Sequence, residues 1–309
     1  MKKILFSVVC LVMVGMQSVQ AQVAIAALHH NDSVKIYSAA KIQTAIDAAM
    51  AGDTIYLSEG IFGGFTVTKP IVIIGAGQTT SISSNVSIGK SGQTLEDGLL
   101  LSGLNIIQDI YLYGYVSGVK ISQCNIAGTC YFNSNSAGSF DNIEIIMSQI
   151  KKLSLNSTYV KGLTVVASKI STVSGQGAAE GSVTFLNCNI SSVDPTGNVN
   201  YNNYMNCIIG TTNHGVFQNC LYCKLANYPV LYNCYQNSDF TLDDDLNCSL
   251  TDEQLKEGGY LGSDGSVVGI TGGDVPFTLV MPIVQVTEHS LEVNQAERKL
   301  KISLKLGNK

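Results

Sequence analysis

The chain has 309 residues, of which 45% are hydrophobic and 13% are charged, and it has no tryptophan. The hydrophobic share excludes a disordered chain. The length suits one elongated repeat structure or two ordinary domains. A formal net charge of −5 makes nucleic acid a poor partner.

The first 21 residues have the pattern of an export signal. Lys2 and Lys3 precede an apolar run from Ile4 to Met16 that is too short to cross a membrane, and Val19-Gln-Ala21 is a small-x-small cleavage pattern. We therefore expect an exported mature chain without a transmembrane segment, in the periplasm, on the cell surface or outside the cell. It would keep 16 basic and 23 acidic residues, a balance that repels polyanions unless a cation bridges them.

Residues 38–51 are predicted to form an amphipathic helix. Four apolar residues fall on one face at helical spacing: Ile42, Ala45, Ile46 and Ala49. Ser38 is expected to cap the start of this helix, and Gly52 to end it. Since a repeat array needs its open ends covered, we expect the helix to close one end of the core.

A short pattern then recurs through the middle of the chain. Val183, Phe185, Cys188 and Ile190 show it: two apolar residues, a small residue and an aliphatic residue at fixed spacing. The small position falls at Leu104, Cys124, Ser148, Ser168, Cys188, Cys207, Cys220 and Cys234, in steps of 20, 24, 20, 20, 19, 13 and 14. A period near 20 predicts a solenoid whose small residues point inward and stack about 4.8 Å apart.

Eight cysteines follow the export signal, and five of them occupy this small position. On stacked parallel strands their Cβ atoms would lie about 4.8 Å apart, whereas a relaxed disulfide needs about 3.8 Å. We therefore predict that Cys188, Cys207, Cys220 and Cys234 are reduced. Cys220-Leu-Tyr-Cys223 has the spacing of a redox or metal pair, but the repeat already accounts for Cys220.

The stretch that follows the predicted helix has a family resemblance. It reads Gly-Asp-Thr-Ile-Tyr-Leu-Ser-Glu-Gly from Gly52 to Gly60, and Thr-Lys-Pro-Ile-Val-Ile-Ile-Gly-Ala-Gly up to Gly77. It resembles the opening of right-handed parallel β-helix proteins of the pectin-lyase-like superfamily, including pectin methylesterases and pectate lyases. The resemblance is close from Ala39 to about Ser81 and continues to Asp239 by periodicity alone.

The resemblance implies an all-β fold, a right-handed parallel β-helix spanning residues 22–250. A leucine-rich repeat is the alternative, because its strand has a similar pattern. Two features disfavour it: the segments between strands are rich in Ser, Thr, Asn and Gly, and the last steps are shorter than such a repeat allows.

The resemblance also implies an enzyme acting on acidic polysaccharide, but the motifs of these enzymes are incomplete. Arg298 is the sole arginine and lies beyond the coils. Asn213-His214-Gly215 faintly matches a polygalacturonase motif, yet the acidic run Asp243-Asp244-Asp245 follows it instead of preceding it. Asp239-Phe240 matches part of a methylesterase motif that lacks its arginine. No catalytic residue is therefore assigned. The conceivable lysine bases are Lys120, Lys151, Lys152, Lys161, Lys169 and Lys224.

Three functions remain open. The first is a non-catalytic exported β-helix that binds a polysaccharide or another cell-surface component. The second is a divergent polysaccharide lyase or glycoside hydrolase on the same fold, and the third is a structural role. A cleft with converging carboxylates, or with a carboxylate beside a lysine, would favour the enzyme.

Tyrosines form the candidate binding site. In the strand around Asp109, Ile110 and Leu112 are predicted to face the core, so that Tyr111, Tyr113 and Tyr115 face outward. Tyr131 lies 20 residues after Tyr111 and is expected beside it on the next coil. These four tyrosines would make a flat aromatic patch on which sugar rings could stack.

Two short runs of residues are candidate metal sites. Asp243, Asp244 and Asp245 read as a solvated turn with calcium as an alternative. The neighbours His29 and His30 diverge on an extended strand, which disfavours a shared metal. No other cofactor is expected.

The C-terminal part is predicted to contain two small units. Residues 251–282 are expected to form a cap and loops, with a helix from Leu250 to Gly258 that begins in a Thr251–Gln254 capping box. Its glycine-rich run lacks the spacing of a phosphate-binding loop. Residues 283–309 alternate between apolar and polar, which predicts antiparallel strands that pack on the last coil.

Overall fold

The computed structural model describes residues 24–132, 138–155, 159–175, 177–179, 181–194, 202–227, 229–279, 284–294 and 299–308, the last two ranges as backbone only. The export signal predicted at residues 1–21 lies outside the described residues. In the described part of the chain, no helix is long and apolar enough to cross a membrane.

Strands dominate the described chain. In chain order they are β1 Ile25–His30, β2 Ser33–Ser38, β3 Thr54–Leu57, β4 Gly60–Phe62, β5 Phe65–Val67, β6 Val72–Ile74, β7 Thr80–Ile82, β8 Val86–Leu95, β9 Leu99–Ser102, β10 Asn105–Ile106, β11 Ile110–Ser117, β12 Val119–Ser122, β13 Asn125–Phe132, β14 Ser139–Asp141, β15 Ile143–Ile146, β16 Gln149–Leu155, β17 Leu163–Val166, β18 Lys169–Ser174, β19 Val183–Leu186, β20 Asn189–Asp194, β21 Asn202–Met205, β22 Ile208–Thr212, β23 Val216–Gln218, β24 Leu221–Leu225, β25 Val230–Tyr232, β26 Tyr235–Gln236, β27 Val284–Asn294 and β28 Lys299–Asn308. The α-helices are α1 Ile42–Ala48 and α2 Asp252–Glu257, and 3₁₀ turns span Ala39–Lys41 and Gly77–Thr79.

The coils stack their strands into two long sheets. The first sheet runs in the order β2-β1-β3-β6-β9-β12-β15-β17-β19-β21-β23-β25, and the second contains β4, β5, β7, β8, β10, β11, β13, β14, β16, β18, β20, β22, β24 and β26. From β3 onward the pairing within both sheets is parallel. The fold class is therefore a parallel β-helix, as predicted, and where the structure describes the segments between its coil strands, they contain no α-helix of the kind found in a leucine-rich repeat.

The predicted row of small residues lies inside the coils. Cys124, Ser148, Ser168, Cys188, Cys207 and Cys220 are all fully buried, which confirms the register. Along the row, a backbone N–H donates to the side chain one coil further on, as from Cys124 to Ser148 Oγ (3.2 Å) and from Cys188 to Cys207 Sγ (3.5 Å). Cys234, on the last coil, is only half-buried.

All eight cysteines among the described residues are free thiols, including the four predicted to be reduced. Burial raises the pKa of the Cys124 thiol to about 12, and it also raises the pKa of Cys207 and of Cys220. A thiol that stays protonated is a poor nucleophile, so these cysteines serve as small apolar side chains.

The residue before each small residue has left-handed backbone. The φ angle is +52° at Asn187, +53° at Asn206, and +49° at both Asn219 and Asn233. A residue in this conformation turns the chain sharply from the first sheet into the second, and asparagine tolerates it better than most residues.

Helix α1 is shorter than predicted, and its caps differ. Its apolar face is buried in the core with Ile55 and Phe65, as the spacing predicted. Ser38 precedes a 3₁₀ turn and not the α-helix, and its side chain makes no capping hydrogen bond. The C-cap is Ala49, not Gly52. The end of α1 is held instead by Lys69, whose ammonium donates to the carbonyls of Ala49 (2.6 Å) and Asp47 (2.7 Å).

Residues 237–279 fold back along the outside of the second sheet. Phe240, Leu255 and Val268 pack there against Ile208 and Leu221 in a small second core. On earlier coils of the second sheet, the Asn189 amide donates to Leu246 O (2.9 Å), and Lys169 Nζ donates to Asn247 Oδ1 (2.7 Å). The predicted capping box at the start of α2 is present, with Thr251 and Gln254 bonded reciprocally. We call residues 237–279 the strap.

The chain ends in an antiparallel hairpin formed by β27 and β28, which confirms the predicted antiparallel unit. Its docking on the last coil stays a prediction.

Candidate functional site

The tyrosine strand has the predicted orientation. Ile110 and Leu112 are fully buried, while Tyr111 and Tyr113 are half-buried on the opposite face. In the next coil Tyr131 is the register partner of Tyr111, flanked by the buried Cys130 and Phe132. The repeat period alone therefore placed these two rings side by side.

The rings form a slipped stack and not the expected flat patch. The Tyr111 and Tyr131 centroids lie 4.9 Å apart at 7° between planes, and the Tyr111 and Tyr113 centroids lie 5.9 Å apart at 10°. Nearly parallel rings 4.9 Å apart cannot be coplanar, because coplanar rings would collide at that separation, so Tyr111 and Tyr131 are offset-stacked. Tyr113 lies two residues further along the strand of Tyr111, whereas Tyr131 lies beside Tyr111 on the next coil. We call Tyr113, Tyr111 and Tyr131 the tyrosine ladder.

Tyr115 faces outward but lies apart from this ladder. It is 43% exposed, and the register of β11 against β8 shifts between Tyr113 and Tyr115. Gly114 occupies the shift with φ +76°, where a side chain would collide with the Lys90 and Gln93 carbonyls. Beyond it Tyr115 pairs with Ser139 of another strand. The expected four-tyrosine patch is thus a ladder of three rings plus one separate ring.

Asp109 anchors the ladder, and sequence reasoning assigned it no role. Its carboxylate accepts from the Tyr111 hydroxyl (3.0 Å) and from the Thr129 backbone N–H (2.7 Å). Burial, and then this hydrogen bond to the carboxylate, raise the pKa of Tyr111 to about 12. The signal was present in the sequence, since Asp109 lies two residues before Tyr111 and shares its face of the strand.

The ladder stops at a small residue on its downstream side. In the register of the coils, Tyr131 is followed by Ser154, and Ser154 by Ser174. Among the described residues, no ring stacks on the side of Tyr131 that faces Ser154. An outward row of polar residues runs beside it, in which Lys152 pairs with Thr129 and Thr172. A ring-sized ligand could continue the stack over Ser154.

A second candidate lies on the first sheet. Lys120 Nζ and Glu144 Oε2 are 3.1 Å apart on neighbouring strands, and both side chains are about half exposed. With Gly118, Val119 and Asn142 they line an open cleft of about 230 Å³. It provides a carboxylate beside a lysine, the arrangement that would favour an enzyme. The other conceivable lysine bases do not share this cleft.

The acidic turn at Asp243, Asp244 and Asp245 is exposed. The Asp243 carboxylate accepts from the Asn247 backbone N–H (2.7 Å) and side-chain amide (3.0 Å), and these bonds lower the pKa of Asp243. Within the described ranges, no group of three or more His, Cys, Asp or Glu side chains could hold a metal. Calcium therefore gains no support from the geometry of this turn.

The histidine candidates are placed apart. His29 packs edge-on against Tyr56, with centroids 5.0 Å apart, whereas His30 Nδ1 lies 2.7 Å from Asp53 Oδ1. The expectation that neighbouring histidines diverge is confirmed. His214 is buried in the wall of a late coil, and the acidic turn lies in the strap.

Compared with known proteins, the chain matches no family model, no curated protein and no solved structure.

Proposed function

We propose that this chain is an exported, non-catalytic β-helix protein that binds a polysaccharide or cell-surface glycan at the tyrosine ladder. One sugar ring continues the stack on the open face of Tyr131, above Ser154. The proposal rests on that face: a ring aligned with its neighbours and followed by a small residue. The membership of the pectin-lyase-like superfamily suggested by the opening of the chain is part of the same proposal.

The chemistry of the ladder suits a sugar. The C–H faces of a pyranose stack on aromatic rings, while its hydroxyls need hydrogen-bond partners. Ser154 offers a hydroxyl directly below the slot, and Lys152 offers a charged donor beside it. Because Asp109 holds the Tyr111 hydroxyl, the ladder is ordered before a ligand arrives, which lowers the entropy cost of binding.

A glycan screen tests the proposal, followed by titration of the best hit against variants. Replacing Tyr111, Tyr113 and Tyr131 together by alanine should lose about five- to tenfold in affinity, since one ring stack contributes about 1 to 1.5 kcal/mol. Tyr115→Ala is the matched control, because this tyrosine is exposed on the same strand but outside the ladder. Unchanged affinity in a folded triple variant would move the site elsewhere.

A divergent carbohydrate-active enzyme is the alternative function, and the Lys120–Glu144 pair favours it. Proton abstraction needs a basic group within reach of substrate, and a lysine in an open cleft could act as such a base once deprotonated. The pair is exposed, since both side chains are about half in water and each is bonded to the other.

Reducing-end and unsaturated-uronide assays on the same polysaccharides separate the two functions. A lyase would release unsaturated uronides, and Lys120→Met would abolish that release while Lys161→Met would not. Binding without either product supports the non-catalytic function. Turnover that survives in Lys120→Met and Glu144→Gln would exclude this pair as the catalytic site.

A further inference from the structure

The glycine-rich part of the strap borders a cleft that is unrelated to the tyrosine ladder. The cleft encloses about 320 Å³ between the corner of the coils and the strap. Its lining includes Leu186, Asn187, Asp264, Gly273 and Asp274. This volume lies at the lower end of the range for small-molecule sites.

The floor of the cleft is apolar. Val166 and Leu186 are register partners on adjacent strands, and both are half-buried on the outer face of the first sheet. Val275 faces them from the strap and is 41% exposed. Three aliphatic side chains therefore present C–H surface to anything that enters.

One lining residue has an unused hydrogen-bond donor. Asn187 is only 3% exposed, and its Nδ2 has no hydrogen-bond partner. This nitrogen lies under Gly272 and Gly273, where an added Cβ would stand 3.0 Å from it. A buried donor without a partner is destabilising, and a ligand oxygen at this place would satisfy it.

The rim of the cleft is acidic. Asp264 accepts from both the backbone N–H (3.0 Å) and the hydroxyl (2.8 Å) of Ser266, and these bonds lower the pKa of Asp264. Asp274 is exposed and also lines the cleft. Both carboxylates can accept further hydrogen bonds, and together they make the rim negative.

The strap is held in place over the cleft by the coil corner. Asn206 accepts twice from it: its Oδ1 from the Ser263 N–H (3.2 Å) and its carbonyl from the Gly269 N–H (2.8 Å). An added Cβ at Gly262 would stand 2.8 Å from the Asn206 side chain. The glycines thus allow the strap to approach the coils closely, and the cleft is preformed.

The geometry points to a neutral saccharide unit as the ligand of this cleft. A metal cation cannot accept from the Asn187 N–H, and an anion such as phosphate is repelled by the two aspartates. A sugar hydroxyl satisfies both sides, since it donates to a carboxylate and accepts from an amide. Its C–H face would lie on Val166 and Leu186.

Titration of the full mature chain with D-glucose, D-galactose, D-mannose and N-acetyl-D-glucosamine, followed by ligand-observed NMR, tests the assignment. At least one sugar should bind saturably. Asp274→Asn and Asn187→Gly should each weaken it about tenfold, the equivalent of one lost hydrogen bond to a buried or charged group. Glycine keeps the left-handed backbone that position 187 requires.

Asn219→Gly is the matched control, because Asn219 has the same left-handed backbone but lies outside the cleft lining. It should bind the sugar like the unaltered chain. The Tyr111, Tyr113 and Tyr131 triple alanine variant should also retain binding, which separates this cleft from the proposed glycan site.

Three outcomes would overturn the assignment. The first is no saturable binding of any of the four sugars. The second is unchanged affinity in Asp274→Asn, which replaces an exposed side chain and should leave folding intact. The third is competition of bound sugar by inorganic phosphate or Ca²⁺, because the cleft would then accept an ion.

Discussion

Two aromatic stacks of nearly the same geometry cross the coils, one inside the solenoid and one outside. The inner stack joins Phe185, Tyr204 and Phe217, with centroids 4.7 and 4.6 Å apart and planes within 8°. The outer stack joins Tyr111 and Tyr131 at 4.9 Å and 7°. Both arise because adjacent coils carry aromatic residues at the same register position.

The two stacks differ in what the fold requires of them. All three inner rings are fully buried, and their removal would leave cavities. The outer rings are half-buried and cover no gap in the core, since Ile110, Leu112 and Cys130 already fill it. Stacking geometry alone therefore says nothing about function. An aligned stack that the core does not need is the better candidate for binding.

The comparison predicts its largest effect in stability. Phe185→Ala should destabilise the chain by about 3–5 kcal/mol, because it empties a buried ring site. Tyr131→Ala should cost no more than about 1.5 kcal/mol, the contribution of one ring pair. Denaturant unfolding of both variants measures the contrast. Equal costs would show that the outer ladder is structural, and would remove the main reason for a binding role.

The next largest effect is the pH dependence of stability that arises from the ionisation of Tyr111. Its pKa of about 12 lies above the ordinary value of 10.0, so the folded chain holds this proton more tightly. The resulting stabilisation is complete below pH 10 and is lost as the pH rises through about 12.

Asp109→Asn should lower the pKa of Tyr111 part of the way toward its ordinary value. The shift should be incomplete, because burial is the larger cause of the raised pKa and remains in the variant. Ultraviolet titration of tyrosinate measures it, and Tyr111→Phe identifies the band that belongs to this residue. An unshifted titration in Asp109→Asn would mean that the carboxylate does not hold the hydroxyl in solution.

Extension of the outer stack should change the stability by a smaller amount, and here the change should be stabilising. Ser154→Phe would place a ring beside Tyr131 in the next coil, in the register of the ladder. It should stabilise the chain by about 0.5–1.5 kcal/mol and block the proposed sugar slot. Ser174→Phe, one coil further on, leaves that slot open and is the control. Retained glycan binding in Ser154→Phe would place the sugar elsewhere.

The smallest predicted change in stability comes from a hydroxyl group in the inner stack. The Tyr204 hydroxyl accepts from Asn202 Nδ2 over 3.4 Å, while this amide also donates to Gly175 O (3.0 Å). Tyr204→Phe should therefore cost about 0.5–1 kcal/mol at most. A calorimetric melt would detect it. A loss as large as that of Phe185→Ala would show that the hydroxyl, and not ring packing, holds the inner stack.

The repeat register could be predicted because it depends on local spacing. The small residue of each coil and the adjacency of Tyr111 and Tyr131 both follow from counting. The left-handed corner was also within reach, since asparagine occupies it in four successive coils from Asn187 to Asn233.

The orientation of the tyrosine rings and the course of the strap could not be predicted from the sequence. A flat patch and a slipped stack have the same sequence pattern, and side-chain packing decides between them. The strap meets the coils through contacts that join distant parts of the chain, such as Ile270 N–H to Asn189 Oδ1 (3.3 Å). No local spacing encodes such contacts. The cleft beneath the strap could not be predicted from the sequence for the same reason.

The strap also changes how the solenoid should come apart. In a simple repeat array each coil contacts only its neighbours, so unfolding can begin at a free end and proceed coil by coil. Here bonds from Lys169, Asn189 and Asn206 to the strap bypass the intervening coils. Under a pulling force at the C-terminus these bonds would have to break before the last coils could unwind. We therefore expect the terminal coils to stay folded under force until the strap has been pulled away.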